Sequence, residues 1–145
     1  MGNSTNANIL LLIAAMLNAL VAIAHLGCIA FGASWYRFFG AGEQMAVWAE
    51  QGNIKATIIT LCISLVLFSW CVYAFSAAGL IIKLPLIKFA LISITSIYLL
   101  RGIGGLFLIA NPLGRASGFW LWSSIICLSF AIIHGIGLKQ VWASL

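Results

Sequence analysis

The chain has 145 residues, 64% of them hydrophobic and only 6% charged, with a formal net charge of +5 and a mean hydropathy of +1.18. A water-soluble domain carries roughly a quarter charged residues, so this composition excludes a water-facing surface and makes lipid the solvent. In hydrocarbon the backbone is satisfied only by helices or closed barrels, and blocks such as 9–33 and 116–138 are apolar on every side rather than alternating, which excludes the barrel.

The expectation is an all-α integral membrane protein. Four transmembrane helices form a compact bundle in one domain, 1–145, with a short interfacial segment between the first and second. The seven Lys and Arg residues stand singly, mostly beside apolar blocks, which is how bases anchor helices among headgroups. That placement argues for membrane lipids as partners and against nucleic acid. The four cysteines fall inside apolar segments with no Cys-x-x-Cys spacing and read as small packing residues.

The opening Met-Gly-Asn-Ser-Thr-Asn lacks the basic region of a signal peptide, and the apolar block after it is longer than a signal core. Asn6 stands where a myristoylation signal requires Ser or Thr. Asn3-Ser4-Thr5 matches the short glycosylation pattern, which carries little information by itself. The first span is expected over 9–33, capped by Asn8 or Asn6, whose short polar side chains suit the orphan amides of a first turn. Residues 34–53 follow as a polar stretch bearing Tyr36, Arg37, Phe38, Phe39, Glu43, Trp48 and Glu50, broken by Gly40 and Gly42. Its aromatic and basic character places it at the headgroups.

The second span covers 54–78 and stops at Gly79, a usual helix terminator. A tight connection leads to Pro85, which a first helical turn tolerates, so the third span is expected over 85–110, antiparallel to the second. Arg101 interrupts it, followed by Gly102, Gly104 and Gly105. Asn111-Pro112-Leu113-Gly114-Arg115 then reads as a turn, and the fourth span covers 119–139 with tryptophans near both ends. Four spans place both termini on one side. Basic residues divide evenly between the two sides, and the larger first loop sits more easily outside. The protein is therefore expected to be multi-pass in the cell membrane with both termini cytoplasmic.

Depth along the helices sorts the polar residues. His25 lies about 12 Å, and Arg101 about 14 Å, below the first-loop surface at 1.5 Å per residue. Thr57, Thr60 and Ser64 share one face of the second span, Tyr98 lies one turn from Arg101, and Ser123, Ser124 and Ser129 approach from the fourth. An arginine at such depth snorkels, meets water or pairs inside the bundle. Three readings stay open for Arg101: an interface anchor, a cation facing a polar cleft, or a partner of Glu43 or Glu50. His25 suits a structural hydrogen bond or proton handling. His134, near Gly135 and Gly137, suits a packed helix end. The two histidines differ in depth by about 10 Å, which argues against a haem clamped between them. No metal site is expected, because no carboxylate falls within a span.

Together these residues suggest an intramembrane pocket lined by Arg101, His25, Thr60, Ser64, Tyr98 and Glu50. It would take a small amphipathic or anionic molecule, lipid- or quinone-like, with the first loop as its lid. No particular cofactor is indicated. The sequence leaves three alternatives open: a transporter or channel acting as a homo-oligomer, an enzyme using His25 as acid or base with Glu43 or Glu50 as its partner, and an assembly subunit of a larger membrane complex.

Overall fold

The computed structural model describes residues 7–145, and both the Asn3-Ser4-Thr5 triplet and Asn6 lie outside that range. The fold is all-α: α1 (Ile9–Phe31), α2 (Ala33–Phe38), α3 (Glu43–Glu50), α4 (Ile54–Ala77), α5 (Ile87–Phe107) and α6 (Ser117–Val141). Four of these, α1, α4, α5 and α6, are long and apolar enough to cross a membrane. Between 28 and 33% of the residues in their most apolar windows are buried. Large side chains such as Met16, Leu65, Phe89, Leu100 and Ile132 face outward, whereas Asn18, Thr60, Ser64, Ser124 and His134 are buried. An apolar exterior over polar interior groups is the pattern expected of helices solvated by lipid.

Local chemistry sets the helix ends. Asn8 caps α1 by accepting from the Leu11 amide at 3.0 Å, and Asn53 caps α4 by accepting from the Lys55 amide at 3.1 Å. At Gly32 the chain turns out of α1 with φ 73°, so the first span ends at Phe31 and a separate short helix begins at Ala33. The end of α4 is a Schellman motif: the Leu80 amide donates to the Phe75 carbonyl and the Gly79 amide to the Ser76 carbonyl, each at 3.1 Å.

The third long helix differs from expectation at both ends. It begins at Ile87, two residues after Pro85. The Ser76 hydroxyl accepts from the Leu84 amide at 2.9 Å and donates to the Ile82 carbonyl at 2.8 Å, which ties residues 82–84 to the end of α4. A turn through Pro85 and a left-handed Leu86 (φ 55°) then redirects the chain into α5. At the far end, the Leu108 and Ile109 amides reach back only three residues, to Gly105 and Leu106. That tightened turn closes the helix before Ala110.

The closest helix pairs are α1 with α4 and α5 with α6. The α1–α6 contact joins the two pairs, and α4 touches α5 more sparingly, although the two are consecutive. Small residues allow the close approaches: a Cβ on Gly102 would lie 2.6 Å from Leu128, and one on Gly137 would lie 2.8 Å from Leu11. At one end of the bundle the Asn8 side-chain amide donates to Gln140 at 2.8 Å, the Asn8 backbone amide donates to the Ala78 carbonyl at 3.0 Å, and Lys83 donates to the Ser144 carbonyl at 3.0 Å. The start of α1 and the end of α6 therefore lie together. At the opposite end α3 packs on α4 while α2 packs on α3 and α1, with Tyr36 and Ala46 buried among them.

Candidate functional site

The interior holds two polar centres, one in the middle of the bundle and one toward the end bearing α2 and α3. In the middle, Asn18 of α1 lies between Tyr98 of α5 and His134 of α6. The Tyr98 hydroxyl donates to the Asn18 carbonyl oxygen, and the Asn18 side-chain nitrogen lies 3.0 Å from His134 Nε2. With Asn18 donating to that nitrogen, a neutral imidazole carries its proton on Nδ1. His134 Nδ1 is buried with no hydrogen-bond partner among the described residues. The Tyr98 ring stacks on His134 with centroids 5.7 Å apart and meets Trp70 and Phe130 edge-on at 5.1 and 5.2 Å.

The second centre surrounds Arg101. Its Nη2 donates to the Ser123 hydroxyl at 3.3 Å, and its guanidinium lies over the Trp120 ring, 5.0 Å from the centroid. Nη1 is buried and unpartnered among the described residues, as is the Ser124 hydroxyl. Both border the Cβ-less face of Gly105, where a methyl group would lie 2.9 Å from Nη1 and would overlap the Ser124 oxygen. The centre is thus a close-packed notch between α5 and α6, in which Arg101 Nη1 and the Ser124 hydroxyl fill the space that the missing Cβ of Gly105 leaves. Arg101 lies six residues before the end of α5, about 9 Å along the axis, shallower than the longer helix expected from sequence would place it.

A second cation stands beside this notch. Arg115, on the connection from α5 to α6, lies over Phe119 at 4.7 Å and near Trp120 at 5.5 Å. Its pKa falls below the ordinary arginine value, first because burial penalises the charge and then because Arg101 is nearby. The Trp120 indole nitrogen donates to the Pro112 carbonyl at 2.6 Å, which fixes the ring between connection and helix. The first loop reaches over this region: Gly42, with φ 100°, runs so close that a Cβ there would be 3.4 Å from Arg115 Nε, and Gly40 passes against Phe119.

No carboxylate is committed to either arginine. The sequence has two acidic residues, Glu43 and Glu50, and both pair with Arg37 on the surface, at 2.6 and 2.5 Å. A structural pairing of Arg101 with either glutamate is therefore replaced by the Arg37 cluster. Hydrogen bonds with Arg37 hold both glutamates below the usual carboxylate range.

The remaining sequence candidates are distributed rather than gathered. His25 is half-buried, with Nδ1 2.8 Å from the Val21 carbonyl on its own helix. Thr60 bonds the Tyr36 hydroxyl at 2.9 Å, and Ser64 donates to the Ala22 carbonyl of α1 at 3.0 Å. Tyr98 belongs to the central group with Asn18 and His134, and Glu50 is exposed beside Arg37. Ser129 donates to Ile125 on its own helix. Neither glutamate hydrogen-bonds His25 among the described residues. Of the six residues expected to line one pocket, Arg101 alone stands in the notch. Among the described residues no group of three or more His, Cys, Asp or Glu side chains is placed to hold a metal ion, and the four cysteines are free.

Sequence reading missed Asn18 and Arg115. Asn18 had a usable signal: at 1.5 Å per residue it lies about 14 Å from the start of α1, close to the level of Tyr98 on α5. Arg115 resembled an ordinary turn residue, and only the return of the chain along Trp120 sets it beside Arg101. No family model, curated protein or solved structure matches this chain.

Proposed function

We propose that this is a multi-pass membrane protein, one domain of four spans with both termini cytoplasmic, that binds a small amphipathic molecule through an anionic head at Arg101. One observation carries the reading. Arg101 has a buried, unpartnered Nη1 beside the unpartnered Ser124 hydroxyl, while the only two side-chain carboxylates in the protein are occupied by Arg37. A partly buried cation without a counter-charge is costly in a low-dielectric setting. An anionic head entering from the lipid would supply that charge, and its apolar tail would remain against the exposed faces of α5 and α6.

The central group weighs against a pore through a single protomer. Trp70, Tyr98, Phe130 and His134 fill the middle of the bundle in ring-to-ring contact, with Asn18 bonded across them. A continuous polar path would have to displace that layer.

The test is mass spectrometry of lipophilic molecules that co-purify with the intact protein, beside an Arg101→Ala variant at matched folded yield. An anionic amphiphile retained by wild type and lost from the variant supports binding at Arg101. Equal retention by both overturns it.

A further inference from the structure

Arg101 is not alone in its field. The guanidinium groups of Arg101 and Arg115 lie 5.0 and 5.5 Å from the centre of the same Trp120 ring. Two like charges this near the same indole destabilise one another; the lowered pKa of Arg115 reflects its burial first and the charge of Arg101 second. The Ser123 hydroxyl accepts from Arg101 and the unpartnered Ser124 hydroxyl borders Gly105 with it, with no side-chain carboxylate spent on either cation.

The number of acceptors needed discriminates among anions. A carboxylate has two oxygens, which a single guanidinium fork satisfies. Two guanidinium groups with serine hydroxyls beside them suit an anion with more oxygens and more charge. Position agrees with this. Arg101 is about 9 Å from the end of α5 and Trp120 about 5 Å into α6, and Arg115 is on the connection between them, so the cluster lies at the level where headgroups meet the helices.

Resting on the reading of Arg101 as an anion-binding residue, we infer that the ligand bears a phosphate group, that Arg115 is the second cation holding it, and that Trp120, which both guanidinium groups approach, positions the pair. The same chemistry has two sources, a phospholipid headgroup and free phosphate. Gly40 and Gly42 bring the first loop against Phe119 and Arg115, so the loop bounds the site on its water side.

The test is titration of the full chain in a zwitterionic detergent, read by tryptophan fluorescence and native mass spectrometry. The probes are short-chain phosphatidic acid, oleate, phosphatidylcholine and inorganic phosphate. Phosphatidic acid is expected to bind at least tenfold more tightly than oleate, and Arg101→Gln and Arg115→Gln are each expected to weaken it about tenfold. Arg115→Lys keeps the charge and should retain most of the affinity, which separates loss of the site from loss of fold. Inorganic phosphate binding as tightly as phosphatidic acid would identify free phosphate as the source; its failure to bind would identify the lipid. Oleate binding equally well, dependent on Arg101 and indifferent to Arg115, would overturn the phosphate assignment and leave the Arg101 reading intact. Binding of any probe unaffected by Arg101→Gln would overturn both.

Discussion

Asn18 and His134, 116 positions apart in the chain, are joined by a buried 3.0 Å hydrogen bond that ties α1 to α6. The bond does not act alone, because the same asparagine accepts from Tyr98 and so reaches α5 as well. One side chain therefore links three long helices at mid-depth. Interhelical hydrogen bonds in membrane proteins average about 0.6 kcal/mol in double-mutant cycles, with a maximum near 1.7 kcal/mol. A cycle built from Asn18→Ala and His134→Ala should fall in the upper part of that range, because both residues are fully buried. Asn18→Leu alone leaves the Tyr98 hydroxyl and His134 without that partner and should destabilise by about 2 kcal/mol. Reversible unfolding in mixed micelles checks both values, and a coupling near zero would mean that the contact contributes only packing.

Two of the three glycines that follow Arg101 on α5 make opposite predictions. A Cβ on Gly102 would meet Leu128 at 2.6 and 2.8 Å and the Leu128 backbone nitrogen at 3.1 Å, whereas one on Gly104 would meet nothing within 4 Å. Gly102→Ala should therefore push α6 from α5 and cost about 1–3 kcal/mol as an overpacking change. Gly104→Ala should be neutral or should stabilise the helix by up to about 1 kcal/mol, since alanine is the better helix former. Thermal midpoints of the two variants in the same detergent give the comparison. Equal effects would refute the close α5–α6 approach at Gly102.

The long helices were legible because lipid leaves the chain little choice: an apolar block of sufficient length has to be helical. Their ends were legible where a local rule decides them, as at Gly79 and Asn8. They were misplaced where a distant side chain intervenes. Ser76, on the preceding helix, sets the chain between residues 82 and 84 and delays α5 past Pro85. The site was legible only through its charge. Arg101 announces itself as an ionised group in an apolar segment. Thr60 and Ser64 share a helical face in the sequence, yet Thr60 bonds Tyr36 and Ser64 bonds the α1 backbone. Facial periodicity shows which residues point inward together; it does not show which partner each will find. Asn18, His134 and Tyr98 come together only through the packing of three helices, and helix pairing is not written in any single segment.

Arg37 should give the first loop a dependence on acid. It holds the pKa of Glu43 and Glu50 below 4.5 through hydrogen bonds, and this depression fixes the sign. The stabilisation is present above the unfolded value and is lost as pH falls through the folded value. Hydrogen-exchange protection factors across α2 and α3, which divide out the intrinsic pH dependence of amide exchange, should thus be constant near neutrality and fall below about pH 4.5. The three side chains are 42 to 63% exposed, so added salt should reduce the effect. Arg37→Gln should flatten the acid response while leaving the four long helices folded. An unchanged pH profile in that variant would assign the response to other groups.

Tyr36 and Thr60 offer a separation between architecture and ligand binding. Tyr36 is 2% exposed, and its hydroxyl bonds Thr60 at 2.9 Å and the Ala56 carbonyl at 3.3 Å, which pins α2 to the first turns of α4. Tyr36→Phe removes these bonds but keeps the ring, and should cost about 1 kcal/mol, felt mainly as looser docking of the first loop. Thr60→Val should do the same from the opposite partner, and the double variant should cost less than the sum, because both changes delete one shared bond. Phosphatidic acid affinity at Arg101 should then change by no more than a few-fold in any of the three, since neither side chain belongs to the arginine cluster. Proteolytic susceptibility of the first loop, measured beside affinity on the same preparations, distinguishes the roles. A tenfold loss of affinity with an unchanged loop would return Thr60 to the ligand site.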